Sequence, residues 1–284
     1  MRVLVVGAGG LVGTAFQAAA PSSIELVPLL HADLAIDDAR AVASVVARER
    51  PDWIINCAAY TQVDRAESEP EIAERVNARG PANLAHAARD SGARLLHLGS
   101  DYVFDGKALR PYREDDAVAP LSVYGRTKLA GEEVLREILP DGHLIVRSQW
   151  LFGQGGPNFV ATIVRLARER QELKVVNDQH GCPTSSADLG AALWKLIAVG
   201  ARGTVHCANE GVATWYDLAC AAVAAAGLTT TVLPCSTAEM PRPAYRPPFS
   251  ALDCTRYSAL VGAPLRHWTE PLREYVQNTL TLLS

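Results

Sequence analysis

Through the first half of the chain, short aliphatic and β-branched runs alternate with longer stretches of helical periodicity, and small or polar residues close each run. The runs Arg2–Val6, Ile24–Leu29, Trp53–Asn56, Arg94–Leu98 and His143–Arg147 predict strands. Apolar spacing of three and four predicts helices over Leu11–Ala19, Asp38–Glu49, Pro70–Ser91 and Ser122–Leu139. Near-continuous apolar strands separated by helices are the pattern of a parallel sheet covered on both faces. The expected class is α/β: a Rossmann-like doubly wound parallel sheet with a smaller C-terminal α/β lobe. In such a sheet the carboxyl ends of the strands form the ligand crevice.

Beyond about residue 148 the pattern loosens. Helices are predicted over Asn158–Arg170, Ala187–Val199 and Trp215–Ala226, between Gly- and Pro-rich connectors. Pro234, Pro241, Pro243, Pro247 and Pro248 argue against regular structure across their segment. Residues 1–148 are expected to form the sheet domain, rejoined by a segment near 178–200, and residues 149–284 mainly a lobe that covers the crevice. The irregular stretch Asp101–Leu121 is long for a compact domain, which predicts a rim or lid.

Composition narrows the classes. With 49% apolar and 20% charged residues, the 284-residue chain has the balance of a soluble globular protein. A net charge of −4 argues against nucleic acid, whose binders carry a basic face, and no apolar run reaches membrane-spanning length. Met1–Gly7 reads as a strand that begins at once, not as a secretory leader. The six cysteines include no Cys-x-x-Cys pair, so reduced thiols in a cytoplasmic protein are expected, without zinc.

Two constellations carry chemistry. Gly7-Ala-Gly9-Gly10-Leu11-Val12-Gly13 stands between the first strand and the first helix, the context a dinucleotide-binding turn needs. Gly7 permits the turn, Gly10 admits a pyrophosphate, and Gly13 allows close helix–sheet packing. No acid ends the second strand, where Pro28-Leu29-Leu30-His31 stands. His31 either favours a 2′-phosphate, which points to NADPH over NADH, or is a solvated surface histidine. Asn56-Cys57-Ala58-Ala59-Tyr60 leaves room for a cofactor after the third strand, although strand packing explains small residues equally well. The second constellation is Tyr124-Gly-Arg-Thr-Lys128 with Ser100 upstream. An ammonium one turn from a phenol can favour its ionised form, and a serine hydroxyl can hold the carbonyl that the phenol protonates. Together with the glycine turn, this reads as a carbonyl reductase. Asn77, inside the long Pro70–Ser91 helix, is a candidate anchor for a buried polar contact.

These residues carry a resemblance. Asn56–Glu67, Ser100-Asp-Tyr-Val-Phe-Asp-Gly106, Tyr124–Glu132, Arg147-Ser-Gln-Trp150, Asn158-Phe159, Asn177–Thr184 and Arg246-Pro247 with Ser250 are collinear with motifs of the dTDP-4-dehydrorhamnose reductase family, a branch of the extended short-chain dehydrogenases/reductases. The resemblance is thinnest between Gly200 and Pro241. It implies an NAD(P)-binding domain and a sugar-nucleotide lobe. It also implies reduction of the C4 ketone of dTDP-4-dehydro-L-rhamnose to dTDP-L-rhamnose, with NADPH preferred and NADH possible. The catalytic set it implies is Ser100, Tyr124 and Lys128. The cofactor would meet Gly7, Gly9, Gly10, Leu11, Val12, Gly13, His31, Asp33, Cys57, Ala58, Ala59, Tyr124 and Lys128. The dTDP-4-keto-6-deoxy sugar would meet Thr61, Val63, Ser100, Tyr102, Trp150, Asn158 and Arg246, the last at the diphosphate.

Several positions depart from the family pattern. Ser100 replaces a common threonine, with little chemical consequence. Leu34-Ala35-Ile36 lacks the usual aspartate, for which Asp33 or Asp37 can substitute. Some members form a metal-bridged dimer; neither Thr14–Gln17 nor Ser185–Ala187 offers the acid, so no metal is expected and the chain is a monomer or a metal-free homodimer. Phe249 stands where an asparagine is usual. Tyr102 occupies the slot in which related 4,6-dehydratases carry a glutamate, which disfavours elimination. The alternatives are another nucleotide-4-keto-6-deoxysugar reductase and a non-catalytic NADP-binding regulatory subunit.

Overall fold

The computed structural model describes residues 1–280. Its first half runs β1 (Arg2–Val6), α1 (Leu11–Ala18), β2 (Glu25–Leu29), α2 (Ala39–Glu49), β3 (Trp53–Asn56), α3 (Val63–Ala66), α4 (Pro70–Glu74), α5 (Gly80–Ser91), β4 (Arg94–Ser100), α6 (Val123–Ile138) and β5 (His143–Ser148). The second half runs β6 (Leu151–Phe152), α7 (Phe159–Glu169), β7 (Glu172–Val176), β8 (His180–Gly181), β9 (Thr184–Ser185), α8 (Ser186–Ala198), β10 (Gly203–His206), β11 (Ala213–Thr214), α9 (Trp215–Ala225), β12 (Thr231–Cys235), α10 (Thr255–Val261) and α11 (Thr269–Tyr275).

Six parallel strands form the central sheet in the order β2-β1-β3-β4-β5-β10. Both faces are covered, which is why the central strands are mostly apolar. Val3 and Val5 of β1 join one core with Phe16 of α1 and Leu189, Leu193 and Trp194 of α8. Leu4 and Val6 point the other way, into a core with Val42 of α2, Leu84 of α5 and Leu135 of α6. On the first face Phe16 and Trp194 stack at 4.3 Å, and the indole N–H donates to Phe16 O. The order of β2, β1 and β3 places the topological switch between β1 and β3, so the glycine turn after β1 faces Asn56–Ala59 after β3.

The predicted helix over Pro70–Ser91 is not continuous. Arg75–Arg79 forms a π turn between α4 and α5, and this wider turn carries Asn77 inward. Asn77 Oδ1 accepts the Tyr60 N–H at 2.8 Å, while Nδ2 donates to Tyr60 O and to Thr127 Oγ1 on α6. Gly131 is needed opposite: a Cβ there would lie 2.2 Å from Asn77 O. The π turn thus ties α6 to the segment after β3.

A third core fills the second lobe, where Val160 and Ile163 of α7 meet Leu173 of β7, Leu218 of α9 and Leu272 of α11. The strands there escaped the sequence reading because they are short and pair two by two. Pro234 lies inside β12, contrary to the expectation of irregular chain. β12 pairs with β7 alone, so on this edge the missing N–H removes no ladder bond. The chain returns to the main sheet through α8, which packs on α1, and then β10 beside β5. None of the described helices is long and apolar enough to cross a membrane.

Candidate active site

Ser100 is the last residue of β4, in register with Ser148 at the end of β5. The chain then makes a single 3-10 turn, Asp101–Val103, in which Ser100 Oγ accepts the Tyr102 N–H at 3.2 Å. α6 starts at Ser122, whose hydroxyl caps Gly125 N, and Glu67 accepts the Val123 N–H at 2.8 Å. Tyr124 therefore sits in the first turn of α6. Gly125 brings that turn onto the 3-10 turn, because any Cβ would approach Tyr102 O to 2.3 Å. The Tyr102 and Tyr124 rings meet edge to face at 5.3 Å.

Ser100 lies within hydrogen-bonding reach of the Tyr124 phenol. Burial pushes that phenol up to about 12, the hydrogen bond with Ser100 opposes the rise, and the Asp101 charge adds to it. Lys128, one turn on, is 2% exposed. Burial pushes its ammonium down to about 8, against the attraction of Glu132 and Cys57. The expected lowering of the phenol by Lys128 is not seen, since Nζ is drawn back to donate to Leu98 O at 2.6 Å. Tyr124 is accordingly a neutral acid at physiological pH. Ser100 donates to Asp101 Oδ1 at 3.1 Å, and burial pushes Asp101 up to about 6.

The glycine turn follows β1 without a break. Gly7 has φ +75°, and a Cβ on it would meet Ala58 N at 2.6 Å, so this glycine joins the ends of β1 and β3. A Cβ at Gly13 would lie 2.4 Å from Gly7 O, so this glycine lets α1 pack closely on the turn. Gly10 differs: a Cβ there would make ordinary contact, at 3.5 Å, with Gly7 O. Its own side-chain position is therefore not filled by close packing. Gly10 is also the N-cap of α1, with no side-chain cap and no acid in the first turn that carries Leu11 and Val12. An uncapped helix start beside an open glycine suits a diphosphate. Gly9 lies near the Leu30 side chain.

Cys57, Ala58 and Ala59 follow β3 beside this turn, with Cys57 N bonded to Val6 O. His31 and Asp33 are exposed on the turn after β2, and the Asp33 carboxylate accepts the Leu30 N–H at 2.8 Å.

Of the residues expected at the sugar, Tyr102 and Arg246 are brought together with Tyr124: burial holds the Tyr102 phenol well above its usual range, and the Arg246 charge pulls it back. Arg246 pairs with Asp64 of α3 at 2.9 Å, and Ala244 N–H reaches the same oxygen. Thr61 and Val63 enter α3 on that side, Thr61 exposed and Val63 half-buried. Trp150, two residues past β5, holds φ +48° and stacks on Trp215 at 3.7 Å. A left-handed tryptophan is strained, and such strain gathers at functional sites. Asn158 is spent on the frame. It caps α7 through Ala161 N, and its amide donates to Gly153 O, Gly156 O and Tyr275 OH. A cavity of about 410 Å³ lies elsewhere, between Thr14, Ala15, Ser186 and Tyr275, and none of Ser100, Tyr124 or Lys128 lines it.

Sequence reasoning missed three features. The loop Gly153–Gly156 lies over the glycine turn, where a Cβ on Gly155 would meet Thr14 Oγ1 at 2.7 Å; its glycine run was the available signal. Asp101 Oδ2 and Gln149 Nε2 are buried beside the site without a hydrogen-bond partner. Asn56 and His97 form a buried polar pair behind Lys128. Among the described residues, no group of three His, Cys, Asp or Glu side chains gathers to hold a metal ion.

Fold and site define the class: a doubly wound α/β protein of the extended short-chain dehydrogenase/reductase type. A family profile described as the RmlD substrate binding domain matches residues 1–281. The dTDP-4-dehydrorhamnose reductase of Streptomyces griseus is 45% identical over 96% of this chain and 92% of its own. The dTDP-4-keto-6-deoxy-D-glucose reductase of Streptomyces niveus is 40% identical over 96% of both chains. The crystal structure of dTDP-4-dehydrorhamnose reductase from Bacillus anthracis in complex with NADP superposes with a TM-score of 0.94, at 38% identity, over 98% of this chain and 99% of that one. The chain belongs to the dTDP-4-dehydrorhamnose reductase family.

Proposed function

We propose that the chain reduces the C4 ketone of dTDP-4-dehydro-L-rhamnose to dTDP-L-rhamnose, with NADPH as reductant and NADH as a weaker substitute. The observation that carries this reading is the meeting of the Ser100 and Tyr124 hydroxyls at the carboxyl end of β4, with Lys128 behind them. When bound, the dihydronicotinamide supplies the hydride. A ketone oxygen between the two hydroxyls receives hydrogen bonds from both, which stabilises the charge that builds on it. Tyr124 then delivers the proton; a phenol held near 12 carries that proton throughout the working pH range. Lys128 is the cation for the cofactor's ribose, and the glycine turn with Leu11 and Val12 holds the diphosphate. Tyr102, Trp150, Thr61 and Val63 shape the sugar pocket. Arg246 leaves Asp64 to meet the nucleotide diphosphate, a geometry guanidinium suits. Thr14–Gln17 and Ser185–Ala187 lack carboxylates, which supports a monomer or a metal-free homodimer. Six free thiols suit a cytoplasmic enzyme.

Incubation with NADPH and dTDP-4-dehydro-L-rhamnose, followed by NMR of the sugar, is expected to give dTDP-L-rhamnose. Tight NADPH binding without any oxidation would replace this reading with a regulatory subunit. The Streptomyces niveus relative supports a second reading, reduction of a different 4-keto-6-deoxyhexose. A higher kcat/KM on dTDP-4-keto-6-deoxy-D-glucose in a competition assay would favour it.

Gly125→Ala tests the helix placement. Its methyl displaces α6 from Tyr102 O, and a shift near 1 Å is expected to lower kcat/KM by about 10²-fold while NADPH still binds.

A further inference from the structure

We propose that His97 is a positioning residue for Lys128: a one-way chain of hydrogen bonds from Ala58 through Asn56 and His97 ends in an N–H aimed at Lys128 Nζ and governs how readily that amine carries its proton. The inference rests on the reductase reading for its activity readout, but not for its spectroscopic one.

Asn56, His97 and Lys128 are 0%, 0% and 2% exposed. Asn56 and His97 are register partners on β3 and β4. The direction of the chain follows from its first link. The Ala58 N–H is a donor that cannot be reversed, and Asn56 Oδ1 accepts it at 3.1 Å. The Asn56 amide nitrogen must then be the atom 3.0 Å from His97 Nδ1, so Nδ1 is the acceptor. Burial and the neighbouring Lys128 charge hold the ring neutral, which leaves its one proton on Nε2. Nε2 lies 3.5 Å from Lys128 Nζ, and Nζ itself donates to Leu98 O. An ammonium here would set N–H against N–H, whereas the neutral amine presents a lone pair.

Other groups face Lys128. Glu132 on the same helix and Cys57 past β3 both favour the ammonium, and Tyr124 stands one turn earlier. Glu132 is tied to Arg147 of β5 and to Arg136. Asn77 and Thr127, on the π-turn side of α6, are neutral. Against these, burial lowers the amine to about 8, and an N–H facing Nζ from His97 acts in the same direction. Such an amine passes a proton to the spent phenolate more readily than an ordinary lysine does.

Three variants test this on the full-length protein, with thermal melting as the folding control. Asn56→Asp still accepts from Ala58 but forces a proton onto His97 Nδ1, turning Nε2 into an acceptor for the ammonium. His97→Leu deletes the N–H. His97→Gln places an amide N–H where Nε2–H was. In ¹³C-lysine-labelled protein, with the Lys128 signal assigned by its loss in Lys128→Arg, the Lys128 titration is expected to move up by about 1–3 pH units in Asn56→Asp. It moves up in His97→Leu as well, and stays near the wild-type value in His97→Gln. The alkaline limb of kcat/KM follows the same order. If His97→Leu does not fold, the ¹⁵N spectrum of wild-type His97 decides. An unchanged Lys128 titration in the folded variants, or a ¹⁵N spectrum of wild-type His97 with the proton on Nδ1, overturns the proposal. Absence of reductase activity in the wild type, with the titrations behaving as expected, overturns the functional reading and leaves this one standing.

Discussion

Tyr124→Phe is expected to lower kcat for ketone reduction by about 10²–10⁴, the usual contribution of a positioned general acid. The ring stays where it is, because its edge-to-face contact with Tyr102 and its place in the first turn of α6 need no hydroxyl. What goes is the proton donor, together with one of two hydrogen bonds to the ketone oxygen. Both act chiefly in the transition state, so KM should change little while kcat falls. The pH profile separates the roles further. A phenol near 12 contributes no alkaline limb in the working range, so kcat/KM is expected to fall through about 8 as the Lys128 ammonium is lost with rising pH. Residual activity in Tyr124→Phe should keep that fall. Steady-state kinetics with intact NADPH binding checks both points, and wild-type turnover in the phenylalanine variant would remove Tyr124 from the acid role.

Arg147→Leu is expected to destabilise the fold by about 3–5 kcal/mol, the cost of leaving a buried partner charge behind. Arg147 is 1% exposed and Glu132 fully buried. The guanidinium donates from Nε at 3.0 Å and from Nη2 at 2.7 Å, tying β5 to α6 one turn beyond Lys128. It also lies over the Phe104 ring, at 5.1 Å. Gly99 makes room for the pair, since a Cβ there would approach Glu132 Oε1 to 2.6 Å and Arg147 Cγ to 2.7 Å. Arg136 at the rim is half-buried and reaches one carboxylate oxygen, so it replaces only part of what is lost. Urea unfolding should show a lower midpoint with an unchanged slope. The double variant Arg147→Leu with Glu132→Leu should recover much of the loss, because removing both charges removes the desolvation penalty. A single variant as stable as wild type would show that the pair does not hold α6 to the sheet.

The parts legible in the amino acids are those that local pattern encodes. β1, β3, β4 and β5 are mostly apolar runs because two faces must be covered, and the glycine turn is readable because Gly13 meets Gly7 O within a few residues, whereas the contact that requires Gly7, with Ala58, lies across the sheet. Tyr124 and Lys128 share a helix face by spacing alone. Other features depend on partners far along the chain. Nothing local marks the π turn that carries Asn77 inward; the partners of Asn77 are Tyr60 and Thr127. Pro234 is tolerated in β12 because no strand pairs on its other side, a fact of sheet order. Arg246 meets Asp64 across more than half the sequence, and the His97 tautomer depends on Ala58 two strand ends away. Periodicity reports which face of an element is apolar. It carries no record of which buried polar atoms meet, and a desolvated atom takes its charge state and direction from those meetings.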